Sequence, residues 1–324
     1  MARQYWEQSF ALAQDIQDVD FILVAHLQMG RLLFSLGEVV PALSHLNHCL
    51  ALYKPPQYHP QSSIYGADAG VVCHAYMALA MELLGHSDQA LRSSQEAITR
   101  AQELSHSFSL MYALSMAATL HQYRREETLT LERAEDTLDL ASSYSLVPEI
   151  TTGMQILRGW ALAVHGQREE GMAQIRNGLA KWETIGVKLL QSYHLALLAE
   201  TLGQGGQADE GLQALDVAEA LMETSGERFW EAELHRLKGE LLLIRGISDE
   251  LQAEKSFRQA LDIARRQQIK SRELRAAMSL SRLWQSQGKQ SEARQLLAEV
   301  YHEFTEGFDT PDLQEAKTLL EELM

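Results

Sequence analysis

Histidine and cysteine are the residue types of this chain that could bind a metal ion. Eight of the twelve histidines lie in its N-terminal part. His45 and His48 share one helix face at a spacing of three residues, with Cys49 beside them, so two zinc ligands could converge there. A structural zinc needs four ligands, and the next candidates are Cys73 and His74. Because no known ligand spacing is matched, we interpret these side chains as surface or hydrogen-bonded core residues, and the sequence predicts no metal site.

Motifs of catalysis and nucleotide binding are missing from the sequence. Gly288-Lys289-Gln290-Ser291 lacks both the upstream glycine and the adjacent hydroxyl of a phosphate-binding loop. The glycine-rich run at 203–206 follows a predicted helix instead of a strand, so we interpret it as a turn. There is no Gly-x-Ser-x-Gly elbow and no Cys-x2-Cys pair. The sequence therefore predicts no enzyme and no cofactor.

Charge is unevenly distributed along the chain. The formal net charge of −16 argues against broad nucleic-acid binding. Residues 251–300 nevertheless carry ten Lys/Arg against five Asp/Glu. This basic block, centred on 258–294, could receive an acidic partner, an RNA backbone or a phosphate. We favour the other interpretation, a solvated helix face paired with acidic neighbours.

A pattern of small residues, called the small-residue step below, recurs about every 40 residues. It indicates the helices that position these side chains. Two small residues lie seven apart, and a larger, usually apolar residue follows the first by four. Residues at these spacings share one helix face, so two helices can approach closely there. The small positions are Ala42/Cys49, Ala90/Ala97, Ala134/Ala141, Gly171/Gly178, Gly211/Ala218, Ala253/Ala260 and Ala293/Val300.

In each repeat the helix that carries the small-residue step is preceded by another helix, and the two form a pair. A further small residue, such as Gly30 or Ala78, stands about twelve residues before the step, and a glycine or polar turn usually lies between. This is the helix-turn-helix pattern of tetratricopeptide repeats, although the period exceeds their usual 34 residues. No stretch alternates apolar and polar residues as a strand would. The sequence predicts an all-α, right-handed α-solenoid of tetratricopeptide-like hairpins with long repeats.

The predicted domain organisation is one superhelical domain over 1–324. It comprises a half repeat at 1–16, seven hairpins over about 19–306 and a capping helix at 311–323. Thr310-Pro311-Asp312 supplies a capping hydroxyl, a proline at the first helical position and an acid near the positive end of the helix dipole. The N-terminal end, with Trp6 exposed, is expected to be open, and self-association through it is one hypothesis.

The first helices of such hairpins are expected to line a concave groove. The small-residue register places aromatic and arginine side chains there, which are the types that interface hot spots favour. For the aromatic members Trp160 and Tyr193, packing against the next helix is an equal alternative. The loop at 54–65, rich in proline, lengthens one repeat and could carry binding residues or act as a packed connector. The candidate partner-binding residues are Arg31, Tyr112, Trp160, Tyr193, Arg236, Arg275 and Arg282.

Several longer passages resemble a known class of proteins. The chain is similar to the C-terminal tetratricopeptide-repeat region of large bacterial regulators. In those proteins an adenylate or guanylate cyclase domain, or a kinase domain, precedes a predicted signalling ATPase and the repeats. The run 257–268 and the ending 304–317 carry the resemblance most specifically, while Ala69 stands where the family has proline. The other matching passages are 36–38, 65–71, 104–110, 157–163, 224–229 and 232–243.

The resemblance implies a regulatory role and brings no catalytic residue to this region. Our first hypothesis is a non-catalytic interaction or sensor arm that binds a protein or peptide in its groove, or folds back on an upstream ATPase or cyclase module. The alternative is a small-molecule or nucleotide sensor that uses the basic 258–294 block and the 54–65 loop. No secretory signal and no apolar run of membrane-spanning length occurs, so we expect a cytoplasmic protein without a membrane partner.

Overall fold

The computed structural model describes residues 8, 10–12, 15–54, 66–142 and 148–324. Over these residues the chain is helical and contains no strand. Most of the predicted half repeat at 1–16, and the loop at 54–65 apart from Lys54, lie outside the described residues.

The helices form consecutive antiparallel pairs. Each pair is one hairpin, from α1/α2 to α13/α14, and α15 follows the last of them. A short 3-10 turn at Ile247–Asp249 precedes α12. The bounds are α1 (Val19–Ser35), α2 (Val39–Leu52), α3 (Ala69–Leu83), α4 (Ser87–Glu103), α5 (Ser107–Tyr123), α6 (Glu127–Ala141), α7 (Pro148–Val164), α8 (Arg168–Ile185), α9 (Gln191–Gln204), α10 (Ala208–Ser225), α11 (Glu231–Arg245), α12 (Glu250–Gln267), α13 (Lys270–Ser286), α14 (Gln290–Tyr301) and α15 (Pro311–Glu322).

Small residues bring the two helices of a hairpin into close contact. All fourteen positions of the predicted small-residue step are buried. A Cβ atom on Gly159 of α7 would lie 2.7 Å from the carbonyl oxygen of Gly171 in α8, and one on Gly239 would lie 2.4 Å from the Phe257 ring. No side chain fits at such distances, because the opposing backbone or ring already fills the space. The chain is an all-α, right-handed α-solenoid of tetratricopeptide-like hairpins, which confirms the predicted fold class.

The last helix packs one apolar face on the solenoid, with Leu313, Ala316 and Leu319 buried. Pro311 occupies its first turn, where a missing N–H costs nothing. The expected capping hydrogen bond does not form, because the Thr310 hydroxyl donates instead to the carbonyl of Gly307 at 2.7 Å.

The solenoid curls until its early hairpins contact its late ones. The backbone N–H of Arg228 donates to the carbonyl of Ser35 at 2.8 Å, and Phe34 stacks on Phe229 with ring centroids 5.5 Å apart. Arg125, in the turn of the third hairpin, pairs with Asp312 of α15 at 3.0 Å. These contacts bring the C-terminal ends of α1 and α5 against the C-terminal half of the chain.

Among the described residues, no helix is both long and apolar enough to cross a bilayer.

Candidate functional site

The inner face of the solenoid contains an apolar cavity. Its volume is about 200 Å³, and the first helices of the first five hairpins, α1, α3, α5, α7 and α9, contribute to its wall. Its lining residues are Arg31, Phe34, Ser35, Tyr76, Leu79, Tyr112, Ser115, Met116, Thr119, Tyr123, Glu149, Ile150, Gly153, Met154, Leu157, Trp182, Leu189, Leu190, Tyr193, His194 and Phe229.

Trp182 of α8 and His194 of α9 form one wall of this cavity. Their rings meet edge to face with centroids 4.5 Å apart, and the side chains are only 3% and 2% exposed. The Trp182 Nε1 and His194 Nδ1 atoms are buried and have no hydrogen-bond partner among the residues that the structure describes. Burial lowers the pKa of His194 to about 3, so its imidazole is neutral at physiological pH. This wall is therefore uncharged and retains unused hydrogen-bonding capacity.

Arg31 and Tyr112 line another part of the cavity. The Arg31 guanidinium lies 5.5 Å from the centroid of the Tyr76 ring, and its Nη1 donates to Gln28 Oε1 at 3.2 Å. Burial raises the pKa of the Tyr112 phenol well above its usual value, and the neighbouring Tyr76 raises it further. The Tyr112 phenol therefore stays protonated at neutral pH and acts as a neutral hydrogen-bonding group.

The buried Glu227 side chain positions the segment around Leu190, which completes the wall of the cavity. Leu190 has a left-handed backbone with φ of 65°, an unusual conformation for a residue with a branched side chain. Its N–H donates to Glu227 Oε1 at 2.9 Å, and the Ser192 hydroxyl donates to Oε2 at 3.4 Å. Burial raises the pKa of Glu227, whereas these two hydrogen bonds lower it.

The cavity brings together three of the seven candidate residues, Arg31, Tyr112 and Tyr193. Tyr193 is 2% exposed, and its hydroxyl donates to Gln122 Oε1 at 2.8 Å. Trp160 lies outside the cavity in the core, where its Nε1 donates to Glu200 Oε2 at 2.8 Å. Trp160 therefore follows the alternative interpretation, in which it packs against a neighbouring helix, because Glu200 belongs to the following hairpin.

The other three candidates form ion pairs away from the cavity. Arg236 donates to Glu233 at 2.8 Å, and Arg275 donates to Asp312 at 2.6 Å. Burial would raise the pKa of Glu233, but the charges of Arg236 and Arg275 outweigh it and hold that pKa well below its usual value. Arg282 is exposed and donates to Glu315 of α15 at 2.6 Å. Arg275 and Arg282 connect α13 to α15, whereas Arg236 pairs within α11. The charges of all three are already matched.

The basic block is largely paired with acidic side chains. Arg265 donates to Glu273 at 2.7 Å, and Lys270 donates to Glu303 at 2.5 Å. Arg272 differs, because it is 1% exposed and its guanidinium nitrogens have no hydrogen-bond partner within the described part of the chain. Its guanidinium lies between aromatic rings, 4.1 Å from the Trp230 centroid and 5.3 Å from that of Tyr123.

The histidines near the N-terminus form a cluster that includes a member the sequence argument left out. His26 Nδ1 lies 3.1 Å from His45 Nδ1, and the rings of His26 and His48 stack with centroids 5.1 Å apart. Burial, with the charges of His45 and His48, lowers the pKa of His26 to about 4. Within the described ranges, no group of three or more His, Cys, Asp or Glu is arranged to hold a metal ion.

Sequence reasoning missed Gly153, Trp182 and His194. A signal for the first was available, because Gly153 is a glycine inside a predicted helix that does not belong to the small-residue register. No comparable signal marks Trp182 or His194, since each has the spacing of an ordinary core residue.

Comparisons with known proteins give the following relatives. No protein-family model matches the chain. An uncharacterized protein of Rhizobium meliloti (strain 1021) is 25% identical over 252 residues, which cover 77% of this chain and 24% of that protein. The chain thus spans about a quarter of the length of the curated relative that it matches.

Solved structures of similar fold cover nearly the whole chain. A Rap protein in complex with the Competence and Sporulation Factor has a TM-score of 0.64 at 13% identity, covering 99% of this chain and 92% of that one. Aspartyl phosphate phosphatase F from Bacillus subtilis has a TM-score of 0.55 at 12% identity, covering 90% and 73%. The Rap conjugation gene regulator of plasmid pLS20, in complex with a Phr peptide, has a TM-score of 0.52 at 9% identity, covering 93% and 95%. At these identities the similarity establishes the helical-repeat fold alone.

Proposed function

We propose that residues 1–324 act as one superhelical, non-catalytic interaction arm of a bacterial signalling regulator. The arm binds a protein or peptide on its inner face and thereby modulates an ATPase or nucleotide cyclase module of the same regulator. The single observation that carries this proposal is the cavity on which the first helices of five hairpins converge. Arg31, Tyr112 and Tyr193 are the proposed partner-binding residues. Support also comes from the peptide and factor complexes of two proteins with the same fold.

The cavity also supports a second candidate function, a small-molecule sensor. An apolar cavity with an arginine in its wall is the feature expected of such a site. It lies away from the basic 258–294 block, whose side chains are mostly ion-paired. A small-molecule site at the cavity is therefore better supported than a nucleotide site at the block.

Partner capture with matched variants tests the first function. Leu189 is 42% exposed and lines the cavity, whereas Val217 is 52% exposed on α10, the second helix of its hairpin. We expect Leu189→Arg to lose a partner from a bacterial lysate that wild type and Val217→Arg both retain. The captured partner is then tested again as a purified component. Equal recovery by all three proteins would contradict a binding site on the inner face.

The regulatory part of the proposal needs a separate measurement. In a longer protein that contains this region, Leu189→Arg should change the partner's effect on ATP hydrolysis or cyclic-nucleotide formation, and Val217→Arg should not. An activity that responds to the partner equally in both variants would leave the arm as a binding module without a regulatory role.

A further inference from the structure

Gly153 is a helix-interior glycine that helix packing does not require. An added Cβ atom would lie 3.6 Å from Trp182 Cζ3 and 3.9 Å from His194 Nε2, which are ordinary contact distances. By contrast, a Cβ atom on Gly159 or Gly178 of the same hairpin would lie 2.7 Å or 2.4 Å from its nearest neighbour. Glycine destabilises a helix interior relative to alanine. At position 153 the missing side chain leaves open space beside Trp182 and His194, which is the space of the cavity.

The chemistry of this wall favours an uncharged occupant. Trp182 and the neutral imidazole of His194 provide no charge, and the neighbouring Met154 and Leu157 are apolar and buried. A charged group placed against these four side chains would lose its hydration without gaining a counter-charge from them, while Arg31 and Glu149 line other parts of the cavity. Aromatic edges and faces instead favour contact with another ring.

The volume of the cavity limits the size of its occupant. About 200 Å³ exceeds the roughly 150 Å³ of an engineered cavity that binds benzene. It is smaller than the roughly 300–1,000 Å³ of ordinary small-molecule sites. The space therefore suits one ring-sized group and not a complete cofactor or nucleotide.

We infer that the cavity receives one uncharged aromatic side chain, of the size of phenylalanine or tyrosine, from the protein or peptide partner. This inference rests on the proposed function of the inner face. It assigns Gly153, Trp182 and His194 as the residues that select the anchoring side chain. Buried aromatic anchors that fill a pocket commonly dominate the affinity of an interface, so the rest of the partner's sequence can vary.

Binding of single-residue probes tests the inference without the partner. We would titrate N-acetylphenylalaninamide, N-acetyllysinamide and toluene into the purified chain and follow binding by ligand-observed NMR. The variant Gly153→Leu fills the cavity, and Val164→Leu enlarges a 37% exposed residue of the same helix as a control. N-acetylphenylalaninamide should bind wild type and the control equally and Gly153→Leu at least tenfold more weakly. The lysine probe should not bind.

Several outcomes would overturn the inference. They are no binding of N-acetylphenylalaninamide, equal binding to Gly153→Leu, or binding of the lysine probe. Binding of toluene alone would assign the cavity to free small molecules and would also overturn it. If Gly153→Leu does not fold, Gly153→Ala adds one methyl group at ordinary contact distance and should weaken binding about threefold, since part of the space is lost.

Partner capture separates this inference from the proposed function. If a partner is lost with Leu189→Arg but retained by Gly153→Leu, the inner face binds it without the cavity, and only the inference fails. If the phenylalanine probe binds as expected and no partner depends on Leu189, the proposed function fails while the selectivity of the cavity stands.

Discussion

At the scale of single residues, the glycines of α7 have two different roles. Gly159 lets α7 and α8 approach until backbone contacts backbone, whereas Gly153 borders the cavity at distances that would accept a side chain. The two positions are six residues apart in one helix, so propensity alone does not distinguish them. Their surroundings do, because one faces a carbonyl oxygen and the other faces the cavity.

Alanine at these two positions should have opposite effects on stability. Gly153→Ala should raise the free energy of unfolding by roughly 0.5–1 kcal/mol, because alanine restricts the unfolded chain and favours the helix. Gly159→Ala should lower it by roughly 1–3 kcal/mol, because the methyl group meets the Gly171 carbonyl oxygen. Urea denaturation followed by circular dichroism measures both. A loss at position 153 as large as that at 159 would show that the cavity is not open there.

His194 should make stability depend on pH. Its folded-state pKa of about 3 lies below the unfolded value of about 6.5, so below pH 6.5 the unfolded chain binds a proton that the folded chain does not. Stability from this group is therefore complete above pH 6.5 and falls as the pH drops toward 3. Between pH 7 and pH 5 the loss should be roughly 2 kcal/mol. Over the same pH interval, the free energy of unfolding of the variant His194→Phe should fall by roughly 2 kcal/mol less than that of wild type.

The matched control for this measurement is His302→Phe, at an exposed position. It controls for the replacement of an imidazole by a benzene ring outside the cavity wall. If His194→Phe and wild type lose the same free energy between pH 7 and pH 5, the imidazole is not a neutral part of the cavity wall.

At the scale of elements, each hairpin depends on one small-residue contact and on the large side chain that fills the groove beside it. Ala260 of α12 is fully buried, and Phe257 one turn earlier packs against Gly239 of α11. Because each hairpin contacts mainly its neighbours, damage at one contact should remain largely local.

The variant Ala260→Trp should lower the free energy of unfolding by about 3 kcal/mol or more, because the site has no space for an indole. Hydrogen exchange should show increased opening mainly in α12 and α13, while α1 to α6 keep their protection. The exposed substitution Leu251→Trp is a control on the same helix, at a residue that is 83% exposed. If Ala260→Trp melts like wild type, the helix register described above is wrong.

At the scale of the whole molecule, the solenoid is held in its curled form by a buried charge network. Asp312 of α15 accepts from Arg275 at 2.6 Å and from Arg125 at 3.0 Å, and Arg275 also donates to the carbonyl of Tyr123. Asp312 and Arg275 are 8% and 6% exposed. The network thus joins the third hairpin to the last hairpin and the cap.

Breaking this network should lower the free energy of unfolding much more than breaking an exposed ion pair does. Asp312→Ala leaves the Arg275 charge buried with an incomplete set of partners, and a loss of about 3–5 kcal/mol is expected. Arg282→Gln removes an exposed partner of Glu315 and should cost no more than about 1 kcal/mol. Urea midpoints compare the two variants. Equal midpoints would mean that the contact between early and late hairpins adds little to stability.

The amino-acid sequence by itself determined the hairpin architecture, because small residues seven apart permit close helix contact only in one register. The same register predicted an inward position for all seven candidate residues, and three of them, Arg31, Tyr112 and Tyr193, line the cavity. Tertiary structure decided the rest. Superhelical curvature, which no local spacing encodes, brings Arg275 to Asp312, and the packing of adjacent hairpins brings Trp160 to Glu200. It also places Trp182 and His194 beside the space left by Gly153, because a cavity is defined by several hairpins at once.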